Sequence, residues 1–380
     1  MRRMMGAAAG AAVLAWAGSA GAADVNLPKQ LVTTAYNTGS SGYSQMVAVG
    51  KMLQNKYGVN LRVLPGKNDV ARLTPVRAGK AQFTATGADG VYAQEAVFTF
   101  GTQKWGPMPV RLLAVNRSNG CTVFAVAKDT GVKTMADLKG KRVAWVRGSP
   151  ALQKASEALL SYANLGWGDV EKVEVGGWAA SINGIIDGDI DAAITASQST
   201  FMLKMDASPR GVIHPAVPFD NEAGWKNIQS VVPWYYKHIC TEGPGVVGGR
   251  QEQVASVYPI LISTTETDDD TAYGMVKAMM ENIDLYKDDA PGAYAWSADR
   301  QIDDYYLPSH PGAIRYWKEV GIWTDKAQAN QEKQLQRQAI LKEAWDAFVA
   351  TNPSDHDKGW MAARAKALTD AGLEPVFTEW

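Results

Sequence analysis

Leu31-Val32-Thr33-Thr34-Ala35-Tyr36-Asn37-Thr38-Gly39-Ser40-Ser41-Gly42-Tyr43-Ser44-Gln45-Met46 is the stretch whose reading decides the fold. Leu31–Ala35 is a short run rich in β-branched and apolar residues and predicts a strand. Gly39-Ser40-Ser41-Gly42 interrupts it with turn residues. From Met46 the apolar positions Val47, Val49, Met52 and Leu53 recur at helical spacing. The pattern is strand, glycine-serine loop, helix. It repeats at once: Val59–Leu64 predicts a second strand ended by Pro65-Gly66, and Asp69 is positioned to cap a helix running to Ala78. Phe83–Thr86 predicts a third strand, followed by Gly87-Ala88-Asp89-Gly90 and a helix towards Phe98. Three such units in succession predict a mostly parallel sheet with helices on its faces.

A second series begins near Val110. Strands are predicted at Val110–Val115, Thr122–Ala127, Arg142–Val146, Val170–Val175 and Ala192–Thr195, with further candidates at Val212–Val217 and Ile228–Trp234. A short helix is expected over Thr134–Leu138. A longer one starts at Pro150, a residue well tolerated in a first helical turn, and another spans Ala179–Ile186. After a strand at Val257–Ile262 the tail reads as long helices, Ala272–Tyr286 and Glu332–Phe348. Its aromatic residues, including Trp296, Tyr305, Trp317 and Trp360, read as packing groups. The expected architecture is α/β in two lobes separated by a hinge cleft. Residues 23–120 and 245–380 form a discontinuous domain I, and residues 121–244 form domain II.

The N-terminus carries a separate message. Arg2 and Arg3 precede an apolar run from Met4 to Ala17 and an Ala20-Gly21-Ala22 exit. This is the pattern of a cleaved secretory signal over residues 1–22, and it predicts a periplasmic mature chain of 358 residues. The apolar run is shorter than the roughly 20 residues of a spanning helix. The chain is 46% hydrophobic and 20% charged, as expected of a globular protein. Its net charge of −1 becomes about −3 without Arg2 and Arg3. The basic residues are scattered among acids, which excludes a nucleic-acid partner.

Catalysis has little support. His214, His238, His310 and His356 stand in no metal-ligand spacing, and His310 is read as structural. Gly39-Ser40-Ser41-Gly42-Tyr43 lacks the last glycine of a nucleophile elbow. No cofactor and no metal is expected, and a hydrolase built on Ser40 or Ser41 has no supporting constellation. Two loops suit anion binding instead. The first carries Thr38, Ser40, Ser41 and Tyr43 at a predicted helix N-terminus, where backbone N–H groups favour a carboxylate. The second, Arg147-Gly148-Ser149-Pro150, adds a guanidinium able to hold a carboxylate in two bonds. Asp89, Tyr92, Trp178, Ser197 and Gln198 are further candidates, each at the end of a strand or at a helix start. Cys121 and Cys240 are read either as one bridge or as two buried free thiols.

The chain also resembles the TAXI family of periplasmic receptors for TRAP transporters. Asn37-Thr38-Gly39-Ser40-Ser41-Gly42 resembles the opening T-G-S-x-G turn of that family, and Val76–Phe83 resembles its l-x-x-G-x-a-q-f segment. Met135–Val143 is similar to the D-L-K-G-K-r-V element of many binding proteins. His310-Pro311-Gly312-Ala313-Ile314-Arg315-Tyr316-Trp317-Lys318-Glu319-Val320-Gly321 resembles the C-terminal H-P-G-A signature. The resemblance implies a type II periplasmic-binding-protein fold. It implies capture of a small organic acid or amino acid and delivery to the membrane subunits of an ion-gradient-driven TRAP permease. A receptor for an ATP-driven importer or a sensor system is the alternative. The chain departs from the family pattern at Tyr43, at Gly148-Ser149-Pro150-Ala151-Leu152 and at Ala196-Ser197-Gln198-Ser199, all near the expected cleft.

Overall fold

The structure, a computed structural model, describes residues 25–301 and 304–378. The secretory-signal reading of residues 1–22 lies outside the described residues. In chain order the first part contains β1 (Gln30–Tyr36), α1 (Ser41–Tyr57), β2 (Asn60–Gly66), α2 (Asp69–Arg77), β3 (Phe83–Thr86), α3 (Ala88–Glu95) and β4 (Val110–Val115). The middle contains β5 (Thr122–Val126), β6 (Arg142–Val146), α4 (Pro150–Ser161), β7 (Glu171–Val175), α5 (Trp178–Asp187) and β8 (Ala192–Ala196). It continues through α6 (Thr200–Asp206), α7 (Glu222–Val231), β9 (Tyr236–Cys240) and β10 (Gln251–Ala255). The last part contains β11 (Ile260–Thr264), α8 (Asp269–Glu281), α9 (Pro311–Glu319), α10 (Asp325–Ala350) and α11 (His356–Asp370).

Two sheets result. The first has the order β2-β1-β3-β11-β4, and the second β7-β6-β8-β5-β10-β9. β1 is parallel to β2 and β3, and β6 is parallel to β7 and β8. The inner strands β3 and β8 are buried almost throughout because helices cover both faces, whereas β7 at the sheet edge, Glu171-Lys172-Val173-Glu174-Val175, is largely exposed. Each sheet also takes in one strand after the chain crosses over. β5 enters the second sheet antiparallel to β8, and β11 enters the first antiparallel to β3. The two crossing segments lie side by side: Asn116 N–H donates to Pro259 O at 2.9 Å, and Tyr258 N–H donates to Asn116 O at 3.1 Å. The fold is therefore α/β and two-lobed, with the connections forming a hinge. The return was expected at residue 245, but Gln251–Ala255 is still hydrogen-bonded in the second sheet, so the crossing lies between Ala255 and Ile260.

Local chemistry explains most element ends. Ser40 caps α1 by accepting from Tyr43 N–H, and Gly58 ends it in the left-handed conformation. Asn68, not Asp69, caps α2, and this frees the Asp69 carboxylate for another role. Ile228–Trp234, expected to be a strand, instead overlaps the end of α7. Asn221 caps that helix, and Trp225, Ile228 and Val232 are buried at helical spacing. The strand candidate at Val212–Val217 is reduced to one bridge between Ile213 and Val126.

The C-terminal helices are fastened to the first lobe by a buried ion cluster. Arg337 of α10 donates to Glu95 Oε1 at 2.5 Å and to Oε2 at 2.9 Å, and Arg364 of α11 pairs with the same carboxylate. Burial pushes the Glu95 carboxyl up, but Arg364 and Arg337 outweigh this and hold it below its usual range. Trp296 and Trp360 are fully buried, and each indole N–H is satisfied, by Gln45 Oε1 and Ala96 O respectively. His310 caps α9 through Nδ1 and donates from Nε2 to Thr267 O.

Candidate functional site

Both mixed sheets reverse strand order at the first of their parallel strands, β1 in one lobe and β6 in the other, and the loops at those strand ends face each other. This is the place where open α/β sheets hold ligands. A small cavity of about 80 Å³ lies there. The first lobe lines it with Tyr36, Ser40, Ser41, Arg72 and Asp89. The second contributes Leu152, Trp178, Ile194 and Tyr235, and Tyr258 closes it from the crossing segment.

The first-lobe wall is built around Arg72, which is fully buried. Its Nη2 lies 2.8 Å from Asp89 Oδ1 and 3.1 Å from Asp69 Oδ1. Its guanidinium stacks 3.5 Å from the centre of the Tyr36 ring. Burial pulls Arg72 down, yet Asp89, Tyr36 and Asp69 outweigh it and hold the guanidinium protonated well above its usual value. The acceptors of Asp89 are already used: Oδ1 also takes Gly87 N–H at 2.9 Å, and Oδ2 takes the Thr86 hydroxyl at 2.5 Å.

Asp69 reaches across the cleft. Its Oδ1 accepts from Ser149 Oγ at 2.8 Å and from the Tyr36 hydroxyl, and its Oδ2 accepts from Ala151 N–H at 2.8 Å. A carboxylate of the first lobe thus sits on the N-terminus of α4 in the second. Burial, and then the neighbouring Asp89 carboxylate, push the Asp69 carboxyl up to about 6. Burial likewise pushes the Tyr36 hydroxyl well above its usual value.

The other second-lobe helices at the cleft are met in the same way. Trp178 N–H at the start of α5 donates to Lys67 O at 2.9 Å, and Ala179 N–H donates to Asn37 Oδ1 at 3.3 Å. The backbones come this close because position 177 is glycine; a Cβ there would lie 2.9 Å from Lys67 O. At α6, Thr200 donates to Gly39 O from both its N–H and its hydroxyl. The Trp178 ring stacks on Tyr36, centres 6.2 Å apart, and meets Phe201 edge-on at 5.1 Å.

α1 differs. Ser40 satisfies Tyr43 N–H, but the N–H groups of Ser41 and Gly42 have no intrahelical acceptor and no other partner among the described residues. Ser41 is 2% exposed, lines the cavity, and its hydroxyl has no hydrogen-bond partner. Arg72 Nε is also unpartnered.

Of the residues read from sequence, Ser40, Ser41, Asp89 and Trp178 come together in the cavity wall. Ser149 stands directly behind it, bonded to Asp69. The others lie elsewhere. Arg147 is exposed, and only its backbone meets the first lobe, through Asn68 Nδ2 at 2.9 Å. The glycine after it turns the chain with φ +68°, so Ser149 and not the guanidinium faces the cleft. Thr38 is exposed, and Tyr43 packs on the first-lobe core. Tyr92 is buried among Phe98, Trp234 and Phe377. The Ser197 hydroxyl links Cys121 N–H to Glu242 O, and Gln198 donates to Ser118 Oγ, so both serve the crossing region. Cys121 and Cys240 are buried free thiols in contact with each other. Burial, then the bond to Cys240, pushes Cys121 up. The same bond lowers Cys240.

Sequence reasoning missed Asp69, Arg72, Tyr36, Tyr235 and Tyr258. The available signal was an Asp and an Arg three residues apart in a helix that follows a strand end. Among the described residues no group of His, Cys, Asp and Glu could hold a metal ion, and no helix is long and apolar enough to cross a membrane.

No curated protein sequence matches this chain. Among solved structures, one described as a periplasmic transporter aligns over 80% of this chain and 95% of its own at 14% identity, with a TM-score of 0.50. The alkanesulfonate-binding protein SsuA from Xanthomonas axonopodis pv. citri bound to MOPS aligns over 79% and 96% at 13% identity, with a TM-score of 0.42. PhnD1 from Prochlorococcus marinus in complex with methylphosphonate aligns over 77% and 99% at 12% identity, with a TM-score of 0.43. The chain shares the two-lobed α/β fold of that periplasmic transporter. Residues 33–321 match the model of the NMT1-like family over three quarters of the chain, and the chain belongs to that family.

Proposed function

We propose that this protein is an extracytoplasmic solute receptor and not an enzyme. It captures a small organic acid or amino acid between its lobes and hands it to an ion-gradient-driven TRAP permease. The observation that carries the binding reading is the start of α1. The unpartnered, buried Ser41 hydroxyl lines an interlobe cavity, at the start of a helix whose Ser41 and Gly42 N–H groups have no partner among the described residues. A free hydroxyl at the positive end of a 17-residue helix suits one anionic group. Tyr36, Trp178 and Tyr258 supply the apolar walls. Ser40, Ser41, Arg72 and Trp178 are the residues assigned to ligand contact, while Asp89 holds Arg72 in place. Residues 25–120 and 256–378 form the first lobe, and residues 121–255 the second. The periplasmic location rests on the Arg2-Arg3 and Ala20-Gly21-Ala22 pattern. The choice of an ion-driven permease rests on the resemblance of His310–Gly321 to the C-terminal TAXI signature.

A thermal-shift screen against organic acids and amino acids tests the receptor reading. Occupancy at a hundredfold excess over the dissociation constant stabilises the native state by about 2.7 kcal/mol. A shift with an anionic class that is lost in Ser41→Ala supports it. A flat response to every acid and amino acid refutes it. Uptake into vesicles carrying the permease, driven by an ion gradient without ATP, tests the partner.

A further inference from the structure

Building on the receptor reading, we propose that Asp69 is a built-in surrogate anion that restricts the cleft to small solutes carrying a single negative charge. A ligand with two anionic groups at opposite ends would need an anion position in each lobe. In this protein the position on the second lobe is already filled. The Asp69 carboxylate takes Ala151 N–H and the Ser149 hydroxyl, the donors that open α4. The N-termini of α5 and α6 are likewise occupied by Lys67 O, Asn37 Oδ1 and Gly39 O. The buried guanidinium is largely committed as well, because Arg72 Nη2 is shared between Asp69 and Asp89, which leaves Nε as its free donor.

The charge balance points the same way. Two carboxylates and one guanidinium leave an excess of one negative charge in the wall when all three are ionised. A second anionic group near the start of α4 would face Asp69 at close range with no cation to spare. Like charges a few ångströms apart in a partly desolvated site repel strongly. Among the described residues the unpartnered donors at the cavity all belong to the first lobe: the Ser41 hydroxyl at the start of α1 and Arg72 Nε. The second lobe adds an apolar stretch, Leu152, Ala155, Ile194 and Trp178, beside Thr122, Ser199 and Tyr235. Size adds a second restriction. The cavity of about 80 Å³ is roughly half of the ~150 Å³ that accommodates benzene. The geometry suits a short-chain monoanion whose tail lies against Trp178.

The test is calorimetric titration of the intact mature protein with propionate, butyrate and methanesulfonate as monoanions, and with succinate and glutarate as dianions, at about pH 7.5. The same panel is run on Asp69→Asn. The expected result is binding of at least one monoanion with about tenfold or greater preference over both dianions, and a preference that shrinks by a similar factor in Asp69→Asn. Equal binding of monoanions and dianions by the wild type would overturn this inference and leave the receptor reading standing. An unchanged preference in Asp69→Asn would remove Asp69 as its cause. Failure of every anion in the panel would overturn this inference, and a flat response to the wider screen of organic acids and amino acids would overturn the receptor reading with it. Should Asp69→Asn not fold, the liganded wild-type structure decides: Asp69 must remain on Ala151 N–H with the ligand anion at Ser41. A ligand anion seated on Ala151 N–H would refute the proposal.

Discussion

Asp69 makes the stability of this protein depend on pH in an uncommon direction. A paired carboxylate ordinarily has a lowered pKa and contributes stability that is lost in acid. Asp69 is fully buried beside Asp89, and its carboxyl is raised from 3.8 to about 6. The folded state therefore binds a proton more tightly than the unfolded chain, whose aspartates titrate near 3.9. Between about pH 4 and pH 6 the native protein keeps this proton and the unfolded chain has lost it, so stability falls as pH rises. A shift of about two units corresponds to roughly 3 kcal/mol. That contribution is fully present below about pH 4 and gone above the folded-state value of about 6. Asp69→Asn cannot titrate and lacks this component, whatever fixed cost it carries at Ala151 N–H. The assay is urea unfolding of both proteins across about pH 4 to 7.5, scored as the difference between their profiles. Wild type should lose roughly 3 kcal/mol relative to the variant over that range. Carbon-detected NMR of the Asp69 carboxyl should show its midpoint near 6. Parallel profiles, or a midpoint near the ordinary value, would refute the placement of this carboxylate inside the interlobe contact.

Three further outcomes follow from the geometry. Arg147→Ala should leave ligand affinity within about twofold by calorimetry, since its side chain is exposed and lines no part of the cavity. Glu95→Gln should cost about 3–5 kcal/mol in urea unfolding, because it leaves the buried Arg337 and Arg364 with carbonyl partners alone; limited proteolysis should then cut first in α10 and α11. Gly39→Ala should weaken ligand binding about tenfold or more without unfolding either lobe. Gly39 has φ +92°, and an added Cβ would lie 2.8 Å from the Phe201 ring, which would push α6 away from the first lobe; small-angle scattering should report a more open shape.

The fold was legible because its parallel strands and helix starts use strong local signals. Phe83–Thr86 and Arg142–Val146 are apolar runs bounded by turn residues, and both form strands with those bounds. The strands β9 and β10 were not legible. Tyr236–Cys240 and Gln251–Ala255 mix polar and apolar residues without alternation, and only their pairing with each other and with β5 defines them. Ile228–Trp234 misled because a β-rich composition outweighed the helical spacing of Trp225, Ile228 and Val232. The cleft loops around Ser40 and Ser149 were legible as helix starts, and this placed Ser40, Ser41 and Ser149 at the interlobe face. Arg147 was chosen for its chemistry in a loop of the right kind, but the left-handed turn at Gly148 sends its side chain outward. Arg72 and Asp69 were hidden for the opposite reason. Their spacing is that of an ordinary surface pair on a helix, and burial, which sequence does not display, makes them the centre of the site.

The second lobe meets the first mostly through backbone N–H groups at helix starts, and the first lobe answers with Asp69, Lys67 O, Asn37 and Gly39 O. Contacts of this kind need no ligand to form. A ligand shifts an opening equilibrium only by the difference in its affinity for the two states. Because the lobes already satisfy each other around the cavity, what remains for the ligand is the start of α1, Arg72 Nε and the apolar wall at Trp178. Affinity must then come from filling a small space with one anionic group and little else. On the proposed receptor reading, this predicts sensitivity to solute size that an open cleft lined with unsatisfied donors in both lobes would not show. It also makes the closing contacts, rather than the ligand contacts alone, the positions where substitution alters affinity. Gly39 and Asp69 act at such positions, and the charge of Asp69 ties the closed state to pH in the same place where it excludes a second anion.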